Sequence, residues 1–69
     1  MASYYVNDRA QANGDHEVHK DGCMFMPSAG NKRYLGEFTD CAPAVTKAKT
    51  IYPGSTNGCA TCCPACHTS

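Results

Sequence analysis

The first forty residues alternate short apolar stretches with polar turn sequences, and this pattern predicts β-strands. Residues 4–10 begin with aromatic and β-branched side chains, and the Asn13-Gly14 pair after them favours a tight type I′ hairpin turn. Residues 15–20 are predicted to form the returning strand, and residues 34–38 a third short strand. Because polar residues dominate the first two strands, one face of this sheet is expected to be exposed to water.

The hydrophobic period changes after residue 40, where the pattern predicts a helix. Thr39 or Asp40 suits the N-cap, Pro43 fits the first turn, and Pro53-Gly54 ends the helix. One apolar stripe has the spacing of a helix face: Cys41, Ala44, Val45, Ala48, Ile51 and Tyr52. We therefore predict one α+β domain over residues 1–69. Its body, residues 1–54, is a three-stranded antiparallel sheet packed by one α-helix, and residues 55–69 form an irregular cysteine-rich tail.

The predicted core is too small to hold this fold by itself. Although 42% of the residues are hydrophobic, nine of these are Ala and six are Cys, and the chain has no Trp. A domain of this size buries only about 60% of the surface that its unfolded chain exposes. Such domains usually need a metal, disulfides or a partner chain. The six cysteines are therefore the candidates for stabilising this one.

The tail concentrates the cysteines in two abutting Cys-x-x-Cys pairs followed by a histidine. Its sequence is Cys59-Ala60-Thr61-Cys62-Cys63-Pro64-Ala65-Cys66-His67. This spacing lets two sulfurs face one ion from a tight turn, as in tetrahedral zinc sites. Adjacent Cys62 and Cys63 point in different directions, so the tail is not expected to close a site alone.

We predict a structural zinc site in which Cys59, Cys66 and either Cys62 or Cys63 provide three ligands. The fourth ligand is then the neighbouring His67 or a distant cysteine of the body. The two distant candidates are Cys23 and Cys41. A distant ligand would tie the tail to the body, where stabilisation is needed.

Disulfides are the alternative to zinc, and a disulfide-bonded chain would need no cofactor. Cys23 follows the second strand and Cys41 opens the helix, so a bond between them would clamp the helix to the sheet. Six cysteines allow 15 pairings, among which the sequence does not choose.

The segment Cys63-Pro64-Ala65-Cys66-His67 also matches two sharper motifs. One is the c-type haem attachment pattern, and the other is the Cys-Pro-x-Cys motif of thioredoxin-type redox proteins. Only Thr68 and Ser69 follow the segment. Neither an enclosed haem nor the helix that activates a redox thiol is therefore expected.

His16 and His19 lie on the second predicted strand at an odd spacing, which places them on opposite faces of the sheet. They are not expected to bind one ion together. We predict exposed or hydrogen-bonded strand histidines, with one of them as a distant metal ligand as the alternative.

Charge and targeting signals limit the partners. Lys plus Arg number 6 and Asp plus Glu number 6, so a nucleic-acid partner held through phosphate contacts is not expected. The N-terminal residues have neither the basic region nor the apolar run of a signal peptide, and no stretch reaches membrane-spanning length. We therefore expect a cytoplasmic chain with reduced thiols. Its predicted partner is a protein or a second copy, which an exposed first strand could pair with.

Three segments resemble a group of small cysteine-rich bacterial proteins. They are Tyr4-Tyr5-Val6-Asn7, Asn13-Gly14-Asp15-His16-Glu17-Val18-His19, and Asn57-Gly58-Cys59 through Cys66-His67-Thr68. The hairpin at Asn13-Gly14 and the Leu35-Gly36-x-Phe38 strand before an Ala-rich helix are also similar to one ββα repeat of the YegP-like bacterial proteins. That second likeness covers roughly the first three-quarters of the chain and excludes the tail. It implies a ββα body, and neither resemblance implies an activity.

These observations together predict a non-enzymatic interaction module stabilised by structural zinc. The alternatives are a disulfide-stapled mini-domain, and a thiol redox or metal-handling protein that uses the Cys59–Cys66 cluster.

Overall fold

The structure, a computed structural model, describes residues 1–68. Its elements are strands β1 (Ala2–Asn7), β2 (His16–Lys20) and β3 (Lys32–Phe38), helix α1 (Cys41–Ile51), strand β4 (Thr56–Gly58), and a 3₁₀ turn at Pro64–Cys66. The four strands form one sheet in the order β3-β1-β2-β4. Strand β1 is antiparallel to both β2 and β3, whereas β4 is parallel to β2.

The α+β class and the single helix are confirmed, but the sheet differs from the three antiparallel strands expected. Its fourth strand comes from the tail, whose first part is therefore not irregular. The His16 N–H donates to the Ser55 carbonyl at 2.7 Å, and the Cys59 N–H donates to the Val18 carbonyl at 3.0 Å. Helix α1 returns the chain across the sheet to the open edge of β2. The three residues of β4 carry no apolar alternation, so no hydrophobic pattern predicts them.

Strand β1 lies inside the sheet, and this corrects the expectation that it offers an open edge to a second copy. It is paired along both sides, to β2 and to β3.

The hairpin between β1 and β2 also differs from the type I′ turn expected. The Gly14 N–H donates to the Gln11 carbonyl at 2.8 Å, and Gly14 has a φ of 90°. A type I′ turn would also need positive φ at Asn13. Among residues 1–68, however, only glycines have positive φ. The Asn13 side chain instead accepts a hydrogen bond from the Asp15 N–H at 2.9 Å. A longer turn closed by Gly14 therefore replaces the two-residue turn.

Helix α1 begins and packs as its sequence predicts. Asp40 is the N-cap, and its carboxylate accepts a hydrogen bond from the Ala42 N–H at 2.9 Å. The predicted stripe faces the sheet. Its buried members are Cys41, Ala44, Val45 and Ala48, and Ile51 and Tyr52 are partly buried.

The core lies between this stripe and one face of the sheet. Val6 and Val18 are opposite each other on β1 and β2 and are fully buried, as is Leu35, and Tyr4 is also buried. Because side chains alternate along a strand, Tyr5 and its partner His19 belong to the other face. His19 is nevertheless buried, with 2% exposed. The chain after β4 therefore covers the opposite face at this point.

A polar network fixes the C-terminal end of the helix to the sheet. Asp8 accepts hydrogen bonds from the Tyr52 hydroxyl and from Arg33 Nε, the latter at 2.8 Å. Both bonds lower the pKa of the Asp8 carboxyl. The His16 ring stacks on Tyr52 with centroids 3.6 Å apart.

Across residues 1–68, no helix has the length and apolar character needed to cross a membrane.

Candidate metal centre

Four side chains with metal-binding atoms converge where β2 ends and the tail leaves β4. His19 is the fourth residue of β2, and Cys23 lies in the turn that follows this strand. Cys59 comes directly after β4, and Cys62 comes one turn later. One ligand atom from each of these residues lies within 4.8 Å of the other three. The parallel pairing of β4 with β2 produces this meeting, because it brings the start of the tail beside the end of β2.

The distances suit one tetrahedral ion. The Cys23 and Cys59 Sγ atoms lie 3.9 Å apart, and Cys62 Sγ lies 3.9 Å from His19 Nδ1. Zinc–sulfur bonds of about 2.3 Å and zinc–nitrogen bonds of about 2.0 Å give tetrahedral edges of about 3.5–3.8 Å. These two pairs therefore correspond to opposite edges of a tetrahedron that small side-chain rotations would close.

The backbone around the cluster positions the sulfurs. The Cys23 N–H donates to the Lys20 carbonyl at 3.0 Å, so a tight turn brings Cys23 back beside β2. The Lys20 N–H donates to Cys62 Sγ at 3.3 Å. The Cys63 N–H donates to the Cys59 carbonyl at 2.8 Å and closes the turn between the two tail ligands.

Burial shifts the pKa of His19 and of Cys62. It lowers the pKa of His19, although nearby Glu17 opposes the effect, so the neutral imidazole that binds metals is favoured. Burial raises the pKa of the Cys62 thiol, and its contact with the Cys23 thiol raises it further. Cys62 is therefore protonated in the metal-free protein, and a binding metal must displace its proton.

Glu17 is placed to support His19 as a ligand. Its Oε1 lies 3.7 Å from His19 Nε2, while His19 Nδ1 faces Cys62. A carboxylate that hydrogen-bonds to the second ring nitrogen of a histidine ligand orients the ring and makes the other nitrogen a stronger metal ligand. At 3.7 Å Glu17 is near this position without forming the hydrogen bond.

Cys41 and Cys66 form a disulfide, with 25 residues of separation between them. The bond joins the first residue of α1 to the 3₁₀ turn. Of the expected ligands, Cys41 and Cys66 are therefore bonded to each other, and Cys41 is not paired with Cys23 as the disulfide alternative proposed. Because Cys66 is bonded to Cys41, it is not available to act together with Cys63, the other cysteine of the haem-like and thioredoxin-like motif.

Two further candidate ligands lie outside the cluster. Cys63 is buried in the hydrophobic core with 2% exposed, and burial raises the pKa of its thiol. His67 Nδ1 donates to the Gly58 carbonyl at 2.9 Å. The divergence expected of the adjacent pair is observed, since Cys62 joins the cluster and Cys63 joins the core.

His19 is the member of the cluster that the sequence analysis did not place in its preferred site. It entered there only as one of two alternative distant ligands. The His-x-x-x-Cys spacing from His19 to Cys23 was the available signal, because both residues lie at the end of a strand and the turn after it. His16, the other alternative, is held by the Asn7 carbonyl at 2.9 Å and by Tyr52.

Comparisons with protein-family models, curated proteins and solved structures gave no match to this chain. The two resemblances noted in the sequence therefore stay predictions, and function has to be argued from the geometry of the site.

Proposed function

We propose that this protein is a small non-enzymatic interaction module that binds one zinc ion through His19, Cys23, Cys59 and Cys62. The observation that carries the proposal is the convergence of four ligand atoms within 4.8 Å of one another. Two ligands come from the sheet end and two from the tail, so the ion would hold the tail to the body.

The chemistry of the donor atoms favours zinc. Three thiolates and one imidazole form a soft ligand set, whereas magnesium and calcium prefer oxygen ligands. Cys₃His is one of the standard ligand sets of tetrahedral structural zinc. The Cys59-x-x-Cys62 spacing is typical of such sites.

Four protein ligands leave no open position for water or substrate, which supports a structural rather than a catalytic ion.

An interaction role is supported by the loop that begins at Cys23. Its next two residues, Met24 and Phe25, are 80% and 59% exposed. A zinc ion bound by Cys23 would fix the start of this apolar loop, to which a protein partner would bind.

The cytosol is the compartment we propose, because its reducing conditions keep the cluster cysteines as metal-binding thiols. The Cys41–Cys66 disulfide must then persist there, aided by the burial of Cys41 at the start of α1. Rapid alkylation of thiols in intact cells, followed by mass spectrometry, tests this pairing. Alkylated Cys41 and Cys66 would contradict a cytosolic protein that carries the disulfide.

Zinc binding is tested by competition with a chromogenic chelator in wild-type protein and in two adjacent variants. Cys62→Ala removes a zinc ligand. Loss of a residue that only hydrogen-bonds to a ligand weakens metal binding by up to about 100-fold, so loss of the ligand itself is expected to weaken zinc binding by more than this. Cys63→Ala is the matched control, since Cys63 lies in the core, and its affinity is expected to be that of wild type. Equal affinity in the two variants, or no binding by wild type, would contradict the proposal.

A further inference from the structure

We propose that the metal centre is also a redox switch, in which a peroxide converts the Cys23–Cys59 ligand pair into a disulfide and releases the ion. This inference rests on the proposed zinc site. It adds a regulatory function to an ion that would otherwise be only structural.

The arrangement of the sulfurs supports this pair. Cys23 Sγ and Cys59 Sγ lie 3.9 Å apart. Because the S–S bond of a disulfide is about 2.05 Å long, the two sulfurs must move about 1.9 Å closer to form it. Cys62 also contacts Cys23, but the Lys20 N–H donates to the Cys62 sulfur at 3.3 Å. This hydrogen bond withdraws electron density from Cys62 and makes it the poorer nucleophile.

Exposure and hydrogen bonding together select the sulfur that reacts first. Cys59 is buried, with 3% exposed, whereas Cys23 and Cys62 are both partly exposed. Oxidants reach accessible thiolates first. Of the two accessible sulfurs, Cys62 accepts the hydrogen bond from the Lys20 N–H. Cys23 is therefore the initial site of attack, and Cys59 is the thiolate beside it that resolves the product.

The two steps balance in atoms and electrons. The Cys23 thiolate attacks one oxygen of hydrogen peroxide, which breaks the O–O bond and yields Cys23 sulfenic acid and hydroxide. The Cys59 thiolate then attacks the Cys23 sulfur, forms the S–S bond and displaces a second hydroxide. Two electrons pass from the two sulfurs to peroxide, and both hydroxides take up protons to become water. The new disulfide would leave only two of the four residues that hold zinc, so the ion would be released.

The body and tail stay connected when the ion leaves. Before oxidation the ion links Cys23 to Cys59, and afterwards a covalent bond links the same two residues. The Cys41–Cys66 disulfide independently holds the 3₁₀ turn to α1. Oxidation is therefore expected to release zinc without unfolding the sheet and helix.

The test treats zinc-loaded full-length protein with hydrogen peroxide while a chromogenic chelator reports free zinc. We expect stoichiometric release, loss of two thiols, a Cys23–Cys59 cross-linked peptide after proteolysis, and an unchanged far-ultraviolet circular dichroism spectrum. Zinc that stays bound, a Cys59–Cys62 or Cys23–Cys62 bond, or loss of the helix signal would overturn the inference. Absence of zinc from untreated protein would instead overturn the proposed function, on which the switch depends.

Two variants separate the switch from general oxidative damage. Cys23→His retains four residues that bind zinc but removes the disulfide partner, and its zinc release by peroxide is expected to slow at least tenfold. Cys63→Ala changes a core thiol outside the ligand set and is expected to release zinc at the wild-type rate. Equal rates in wild type and Cys23→His would overturn the inference. The peptide map of wild-type protein gives a decisive result even if Cys23→His does not fold.

Discussion

Replacing Gly58 by alanine tests how closely the tail packs between its two cross-links. Gly58 ends β4, directly before Cys59, and its backbone lies against Cys66. A Cβ at this position would lie 2.8 Å from Cys66 Cβ and 2.9 Å from the Cys66 carbonyl carbon. One of these atoms belongs to the backbone, and the other belongs to a side chain bonded to Cys41. Neither atom can move away without displacing the 3₁₀ turn.

Two opposing terms set the magnitude. Overpacking costs about 1–3 kcal/mol. Replacing glycine also restricts the unfolded chain, which returns about 0.4–1 kcal/mol. We therefore expect Gly58→Ala to lower the free energy of unfolding by about 1–2 kcal/mol, and to lower Tm by about 4–8 °C for each kcal/mol.

Urea denaturation at a fixed excess of zinc measures this change, because a fixed metal concentration keeps the contribution of binding constant. Gly30→Ala is the matched control. A Cβ at residue 30 would meet no atom within 4 Å, and Gly30 lies outside the left-handed region, so this variant is expected to match or slightly exceed wild-type stability. If Gly58→Ala proved as stable as Gly30→Ala, the close packing of β4 on Cys66 would be refuted.

Three further substitutions test the disulfide, the polar network and the helix cap. Replacing both Cys41 and Cys66 by Ser is expected to cost about 3 kcal/mol in urea denaturation, because the bond closes a loop of 25 residues; an unchanged midpoint would contradict this. The hydrogen bonds from Arg33 and Tyr52 lower the pKa of the Asp8 carboxyl. The ionised carboxylate therefore stabilises the fold at pH values above the pKa of an unfolded Asp, about 3.9, and this stabilisation is lost as the pH falls through the lower pKa of the folded protein. The stability difference between wild type and Asp8→Asn should therefore shrink from about pH 5 to about pH 3, and a constant difference would refute the role of the carboxylate. Asp40→Ala removes the N-cap bond to the Ala42 N–H and should cost about 1 kcal/mol, whereas Asp40→Asn should retain most of it; equal losses in the two variants would contradict capping.

The sequence predicted the body well because its signals there are local. The spacing of Cys41, Ala44, Val45 and Ala48 specifies one helix face, and Asp40 has the chemistry of an N-cap. The three strands of the body could be located in the same way from aromatic and β-branched residues, although the first strand is Ala2–Asn7 rather than residues 4–10. Their side-by-side order could not, because each strand alone carries no information about which neighbour it pairs with.

The tail was harder to predict because its contacts are distant in sequence. Thr56–Gly58 has no hydrophobic alternation, and it becomes a strand only because β2 offers an open edge beside it. Without that pairing, nothing places Cys59 near His19.

The cysteines show the same limit. The divergence of Cys62 and Cys63 follows from their adjacency and was predictable, as was the need for a ligand from the body. The sequence did not predict which residue of the body each tail cysteine contacts. Cys66 is bonded to Cys41, and Cys59 lies beside Cys23. These pairings depend on how the tail folds back on the whole body.

X-ray absorption spectroscopy of the zinc-loaded protein tests the central claim most directly. The proposed site predicts three sulfur neighbours at about 2.3 Å and one nitrogen neighbour at about 2.0 Å, from Cys23, Cys59, Cys62 and His19. Replacing His19 should remove the nitrogen shell and its imidazole scattering. A shell of four sulfurs, which would require Cys63 in place of His19, or a shell dominated by oxygen, would contradict the account.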